Sequence, residues 1–479
     1  MNNNRRNFLK LTGLTGMGIV FGANRAESNR PYHKNRNQTF NMHGYAAPKL
    51  ETVRMGFIGL GDRGWGNVNR FASIEGVDVK ALCDIVPHRV HSSIEFLQTH
   101  LPHHNPDAYT DGPEAWKQLC ERDDIDLICI STPWNQHAEQ SIFSMEHDKH
   151  VYVDLPVGVT AEECWAVVET SEKTRKHVHM DCVSCHTGTL ATLLNMVRHG
   201  YFGEILHGEG HYAHDRVSNT EGRWRRDPDN NYWFGFRPWR LQENVNRNGN
   251  LYPAHGLGPV SQMMDLNYGD QMDYMVSISS NDFTMADKMR EIAEMDEYYK
   301  PYVGLEFRGN MNTTIIRTKK GRTLMLQHDI SSPGIGQRFD VIRGNKGMYK
   351  GNPDRISTIE DGLVQGDEFD AITEQYTPRI TKVFNEKRSQ ATTDFSDAGI
   401  YSTVTPEDWR LIDSLRNGLP TEMNVYDAAL WSVITPLSEW SVVREGNTVK
   451  IPDFTAGAWK TNKRGMDVSL REGGTTNLL

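Results

Sequence analysis

The stretch MGFIGLGDRGWG, Met55–Gly66, constrains this chain more than any other. A short apolar run, Met55–Gly59, has the composition of a strand buried on both faces in a parallel sheet. Gly59, Gly61 and Gly64 then give G-x-G-x-x-G, with Asp62 and Arg63 inside the turn. The first glycine permits a tight turn, the second lets backbone approach a pyrophosphate, and the third lets the next helix pack on the strand. A helix expected over about Trp65–Ser73 would aim its N-terminal amides at phosphate. A second apolar run, VDVKALC, ends at Asp84, 20 residues beyond Gly64. At that register a carboxylate accepts the ribose hydroxyls of NAD and repels a 2′-phosphate. A glycine motif alone is weak; strand, helix and acid in register make it strong.

The alternation continues. Helical residues near Pro113–Glu121 lead into IDLICIS, Ile125–Ser131, then to a helix starting near Asn135 and a strand His150–Val153. Alternating strands and helices predict an α/β fold, with an N-terminal Rossmann-type doubly wound parallel sheet over residues 51–178. Ligands bind beyond the carboxyl ends of such strands. Thr132–His137, with Trp134, Asn135 and His137, and Asp154–Pro156, with Leu155 between, are therefore expected to face the nicotinamide half of the cofactor.

Residues 179–479 predict an α+β domain with a large open, mostly antiparallel sheet. TTIIRT, the turn KKGR and TLMLQHD alternate at period two as a hairpin, and QRFDVIRG reads as the next strand. One sheet face is expected to lie under the nucleotide domain and the other to pair with a second subunit, giving a homo-oligomer. Residues 405–445 carry helical spacing and are expected to return to the core.

The ends and the charge set further bounds. NRRNFLKLTGLTGMGIVFGA, with Arg5 and Arg6 ahead of a weakly apolar stretch, resembles a twin-arginine signal over residues 1–32. A basic N-terminal arm is the other reading. Residues 33–50 read as a linker outside the fold, and the protein is expected to be exported to the periplasm already folded. A formal net charge of -10 argues against nucleic acid, whose phosphates need a basic surface. No apolar run approaches the ~20 residues of a membrane helix. Six cysteines in 479 residues are not a disulfide framework.

The layout resembles the Gfo/Idh/MocA oxidoreductases. In most of these the strand after the "TP…H" segment ends in Glu-Lys-Pro, and the lysine is a catalytic acid/base; here Asp154-Leu155-Pro156 stands there, without the lysine. Downstream, Met196–Asp215, Trp239–Ser280 and Met311–Pro333 closely resemble glycoside hydrolase family 109, most specifically in Asn250–Pro259. The resemblance runs from about Val53 to the C-terminus. It implies an NAD-dependent glycosidase, the family being best known for α-linked N-acetylgalactosamine, and that family also lacks the lysine.

Such a reaction oxidises the sugar at C3, which acidifies the C2 hydrogen. Elimination at C1, addition of water and re-reduction follow, so the cofactor is regenerated each turnover. The path needs groups that move protons at the C3 hydroxyl and at C2. His255, in NLYPAHG, is the first choice, since imidazole titrates near neutral pH, and the resemblance assigns it catalysis. A histidine satisfied by backbone in a tight loop is the alternative. Tyr252, Pro253 and Ala254 share that loop and are expected to line the sugar pocket. Tyr212 and Arg240 match family positions that contact the sugar, though an arginine can equally be a surface ion pair.

The chain departs from the family twice. A tyrosine that contributes to catalysis falls by position on His186, and Gly334-Ile335-Gly336 replaces Pro-Tyr-Ser. His186 is expected to take over acid/base work. The HVHMDCVSCH run, His177–His186, has metal-ligand types but no distant second pair to complete a tetrahedral site, so no metal is expected. The aromatic and arginine-rich run Arg223–Arg240 is either a sugar-stacking cover or an ordered surface loop. A net sugar oxidoreductase, such as a glycoside 3-dehydrogenase, remains the second functional reading.

Overall fold

The computed structural model describes residues 38–182, 185–218, 224, 226–227, 232–233, 238–245, 247–334, 336–391 and 404–479. The leader with Arg5 and Arg6, Ile335 and most of the Arg223–Arg240 run lie outside the described residues.

The first domain forms as its alternation requires. Strands β1 (Val53–Ile58), β2 (Val77–Cys83), β3 (Asp107–Tyr109), β4 (Leu127–Ile130), β5 (His150–Val153) and β6 (Val178–Met180) make one six-stranded sheet in the order β3-β2-β1-β4-β5-β6. Every pairing is parallel. Helices α1 (Asp62–Ala72), α2 (Pro87–His100), α3 (Ala115–Cys120), α4 (Trp134–Glu146) and α5 (Ala161–Thr174) connect the strands. The residues of β4, β5 and β6 are all buried, as helix-covered parallel strands must be. The order reverses between β1 and β4, which opens a crevice at their carboxyl ends. β6 spans the expected 178/179 domain boundary and belongs to the first sheet.

The second domain holds a nine-stranded mixed sheet. Its strands are β7 (Ile205–Ala213), β10 (Met272–Ser279), β11 (Asn312–Thr318), β12 (Thr323–Asp329), β13 (Gln337–Gly344), β14 (Gly347–Lys350), β15 (Arg355–Thr358), β16 (Gly362–Gln365) and β17 (Val449–Lys450). The two-residue strands β8 (Arg226–Asp227) and β9 (Tyr232–Trp233) pair separately. The nine run β16-β15-β14-β13-β7-β12-β11-β10-β17; β7 lies parallel to β12, and the remaining pairs are antiparallel. The expected β11–β12 hairpin and the β13 strand are both present. Further helices include α6 (Gly188–Arg198), α7 (Pro238–Glu243) and α8 (Ala254–Met263).

Two expectations change in detail. The inner sheet face packs on helices of its own domain, α8 on β7 and β13 and Ile434–Val443 on β10, where direct cover by the nucleotide domain was expected. Residues 38–50, expected in an external linker, lie on the body. Met42 is buried, Gln38 Nε2 donates to Tyr426 Oη at 2.7 Å, and Ala46 bridges to Pro420. The helices Pro406–Asn417, Val425–Ser432 and Ile434–Val443 return to the core as expected, with Trp409 and Trp431 fully buried.

Candidate active site

The glycine loop has the shape a dinucleotide needs. Gly59 has φ +86°, and a Cβ there would lie 2.8 Å from the Ser131 carbonyl. A Cβ on Gly64 would lie 1.8 Å from Gly59 O, so only glycine lets α1 start this close to the β1 turn. Gly61 caps α1 without a side-chain hydrogen bond, leaving the first amides open to an anion. Asp62 is exposed in the first turn. Asp84 is buried at the end of β2, its oxygens accepting from Leu60 N at 2.7 Å and Val86 N at 2.8 Å. Each carboxylate oxygen retains a further lone pair for a ribose hydroxyl. Arg89 lies 3.5 Å from Asp84, a neighbour the sequence reading missed.

Beyond the carboxyl edge of this sheet stands the second half of the site. Gly210 on β7 and Gly256 on α8 meet backbone to backbone. A Cβ on Gly256 would be 2.3 Å from His211 N, and one on Gly210 would be 2.4 Å from Gly256 O. This approach sets His255, in the first turn of α8, against Tyr212 of β7, ring centroids 5.4 Å apart and nearly parallel. Tyr252 closes on both, at 5.1 Å from His255 and 4.6 Å from Tyr212. Trp134, from the start of α4, stacks on Tyr252 at 5.4 Å. The Arg240 guanidinium of α7 lies over Trp134, Trp239 and Tyr252 at 5.2, 4.9 and 5.3 Å. Aromatic faces with an interleaved guanidinium suit a sugar ring, which presents C–H faces and hydroxyl edges. Pro253 and Ala254 are buried in the same turn.

The electrostatics move His255 away from the near-neutral titration expected of a free imidazole. Burial, and then the Arg338 charge, push His255 well below the ordinary imidazole range, while Asp181 acts in the opposite sense. His255 is thus neutral at neutral pH and able to accept a proton. Burial would raise the Tyr212 phenol, but Arg240, Arg216 and Arg338 outweigh it and hold the group below its ordinary value. Tyr252 goes the other way, to about 12, chiefly by burial. Where the common oxidoreductase pattern has its lysine, Leu155 is buried. Beside it, Arg63 of the glycine loop pairs with Asp181 and approaches Asp154 at 3.6 Å. Asn67 donates to Asp154 at 3.3 Å. Burial raises Asp154 to about 6 against the pull of Arg63, and Asp181 is held at about 2, its burial outweighed by Arg63 and Arg70.

The comparisons with known proteins cover both domains. Residues 53–182 match the model of the oxidoreductase family with an NAD-binding Rossmann fold, and residues 188–461 match the C-terminal domain of glycosyl hydrolase 109. The chain is 38% identical to the family 109 protein of Shewanella pealeana over 96% of this chain and 98% of that protein. It belongs to glycosyl hydrolase family 109.

Another family 109 relative, at 38% identity with the same coverage, is the alpha-N-acetylgalactosaminidase of Shewanella oneidensis. The solved levoglucosan dehydrogenase complex with NADH and levoglucosan superposes with a TM-score of 0.59 at 15% identity, covering 84% of this chain and all of that one. The Bordetella pertussis WlbA dehydrogenase gives 0.55 at 12%, covering 85% and 100%. Those two likenesses show the fold. The family places this chain among enzymes acting on sugars with an NAD-binding Rossmann domain.

Within the candidate site the structure brings together His255, Tyr212, Tyr252, Arg240 and Trp134. One expected catalytic residue, His186, is engaged elsewhere. The His186 ring hydrogen-bonds Glu422 at 2.9 Å, inside a buried network with Arg410 and Asp413. Burial lowers its pKa, but Glu422 and neighbouring carboxylates outweigh that and raise it, so the ring is committed to Glu422. His137 is buried between the carbonyls of Thr132 (2.7 Å) and Pro156 (2.8 Å), pinning two loops that face the cofactor crevice. Asn135 is exposed on α4. The sequence reading missed Asp181, Asn67, Arg338 and His328, whose ring lies 5.9 Å from Tyr212, and held Trp239 only within the Arg223–Arg240 and Trp239–Ser280 runs. The pairing of β6 with β5 brings Asp181 to the site and that of β12 with β7 brings His328, and neither pairing shows in local sequence pattern.

Proposed function

We propose that this chain is an NAD-dependent glycosidase acting by transient oxidation at C3, elimination, addition of water and re-reduction, on an N-acetylgalactosaminide or a related glycoside. The observation that carries this reading is the pairing of an intact dinucleotide cradle with a neutral His255 set among Tyr212, Tyr252 and Arg240. The residues fit the cofactor: a side chain at Gly64 would fill the space of the loop turn, and the α1 amides carry no side-chain cap. Gly59, Gly61 and Gly64 would hold the pyrophosphate, and Asp84 the ribose. When bound, NAD supplies a reversible hydride acceptor. The aromatic faces of Trp134 and Tyr252 and the Arg240 fork orient the sugar. His255 accepts a proton from the substrate and returns one as water adds. Tyr212, with its phenol lowered by three arginines, is the second group able to exchange a proton at the same ring.

Substrate class rests on the activity named for the Shewanella oneidensis relative. The test is release of p-nitrophenol from a panel of aryl glycosides by protein purified with its bound nucleotide, without added NAD. Catalytic release supports the reading; no release from any glycoside contradicts it. We further propose that the chain is exported by the twin-arginine route, on the Arg5–Arg6 leader. Replacing both by lysine should strand the precursor in the cytoplasm, and normal export of that variant would contradict the route.

A further inference from the structure

We propose that Asp181 is a sugar-binding carboxylate of this site, its Oδ1 accepting a hydrogen bond from a ring hydroxyl of the substrate held against His255. The inference rests on the glycosidase reading and adds a residue to the same pocket. β5 and β6 run parallel with Val153 opposite Met180, so Asp154 and Asp181 leave the sheet side by side at its carboxyl edge. Asp181 N donates to Val153 O at 2.8 Å, which fixes the backbone there. The next residue fastens this exit to the histidine helix: Cys182 Sγ donates to Ala254 O at 3.5 Å, in the first turn of α8. Its amide donates to Glu407 at 2.8 Å.

The two carboxylates divide the available donors unequally. Asp154 receives Asn67 and the approach of Arg63, while Asp181 Oδ2 receives Arg63. Asp181 Oδ1 has no hydrogen-bond partner among the described residues, although the side chain is 1% exposed. A buried carboxylate oxygen is costly to leave without a donor, so the position is built for one that arrives from outside. The position does not fit a metal ion, since no group of three His, Cys, Asp or Glu able to hold one occurs among the described residues. Asp181 and His255 lie near enough for each charge to act on the other, and Cys182 bonds the first turn of α8, so a hydroxyl of a sugar held against His255 is a donor within reach.

Asp181→Asn separates this role from a merely structural one. The asparagine oxygen can stay with Arg63, which turns the amide N–H toward the pocket, where an acceptor is needed. Calorimetry on the full-length, NAD-loaded protein would first find the tightest binder among free hexoses and N-acetylhexosamines, then its monodeoxy analogues. In the wild type, removing one particular hydroxyl should weaken binding on the order of 10- to 100-fold. Asp181→Asn should weaken the parent sugar by a similar factor and leave that one deoxy sugar unaffected, with NAD still bound. Wild-type-like sugar binding by Asp181→Asn, or loss of NAD together with the sugar, would overturn the role. If the variant does not fold, a wild-type deoxy series in which no single hydroxyl matters overturns it as well. A wild-type protein that binds no sugar would overturn both this proposal and the glycosidase reading. A wild type that cleaves glycosides, beside a variant with unchanged binding, overturns the Asp181 role alone.

Discussion

His255 is the residue on which the proposed chemistry turns, and its surroundings set what removing it should do. It is carried by α8 of the second domain, whereas the glycine loop opens α1 of the first, so His255→Ala should keep NAD bound while turnover falls on the order of 10²- to 10⁴-fold. A nucleotide-to-protein ratio and a steady-state assay on the same sample check both halves. Asp154 gives a prediction in pH. Its folded pKa of about 6 exceeds the ordinary carboxyl value, so the folded state holds the proton more tightly than the unfolded chain. The stability it contributes is therefore full below about pH 4 and is lost as pH rises through 6. Asp154→Asn should match the wild type at pH 4 and exceed it at pH 7, by at most about 3 kcal/mol for a shift of about two units. Urea denaturation of the stripped protein at both pH values decides; an equal change at both would contradict the assignment. Asp154 was legible because it closes a strand in a recognised pattern. Asp181 was not, because a strand of three residues leaves no periodic signal. His186 misled for a related reason: position along the chain cannot show that Glu422, more than two hundred residues later, takes the ring.

At the scale of elements, glycines decide which surfaces can meet. Gly256 sits inside α8, where alanine ordinarily stabilises a helix by roughly 0.5–1 kcal/mol. Here its Cβ would press into the β7 backbone at His211 N and Gly210 C, which are rigid ladder atoms. Gly256→Ala should instead destabilise by about 1–3 kcal/mol, the usual cost of overpacking, and lower activity by parting His255 from Tyr212. Chemical denaturation checks the sign, and a stabilised variant would contradict the packing argument. The strand–loop–helix of the cradle was readable because glycine spacing and apolar period coincide there. The cover of the second sheet was not readable. Its central β7–β12 pair is parallel and joins distant segments, so the helices that fill its inner face cannot be ordered from local pattern.

At the scale of the whole molecule, the nine-stranded sheet leaves apolar side chains on its outer face. Ile278 and Ile315 are 65% and 48% exposed, on the adjacent strands β10 and β11. We propose that this face pairs with a second subunit, as such a patch would in an oligomer. Replacing both isoleucines by glutamate should shift the particle to monomer mass in light scattering; an unchanged mass would move the interface elsewhere. The two domains together state the central claim, that a nucleotide site and a proton-transfer site act on one sugar with no net redox change. The most direct measurement is turnover of an aryl glycoside in D₂O with mass spectrometry of the released sugar and a parallel assay for NADH. The account predicts deuterium at C2 and no accumulating NADH. A sugar released without C2 deuterium by protein that needs no nucleotide, or a 3-keto product accumulating with NADH, would contradict it.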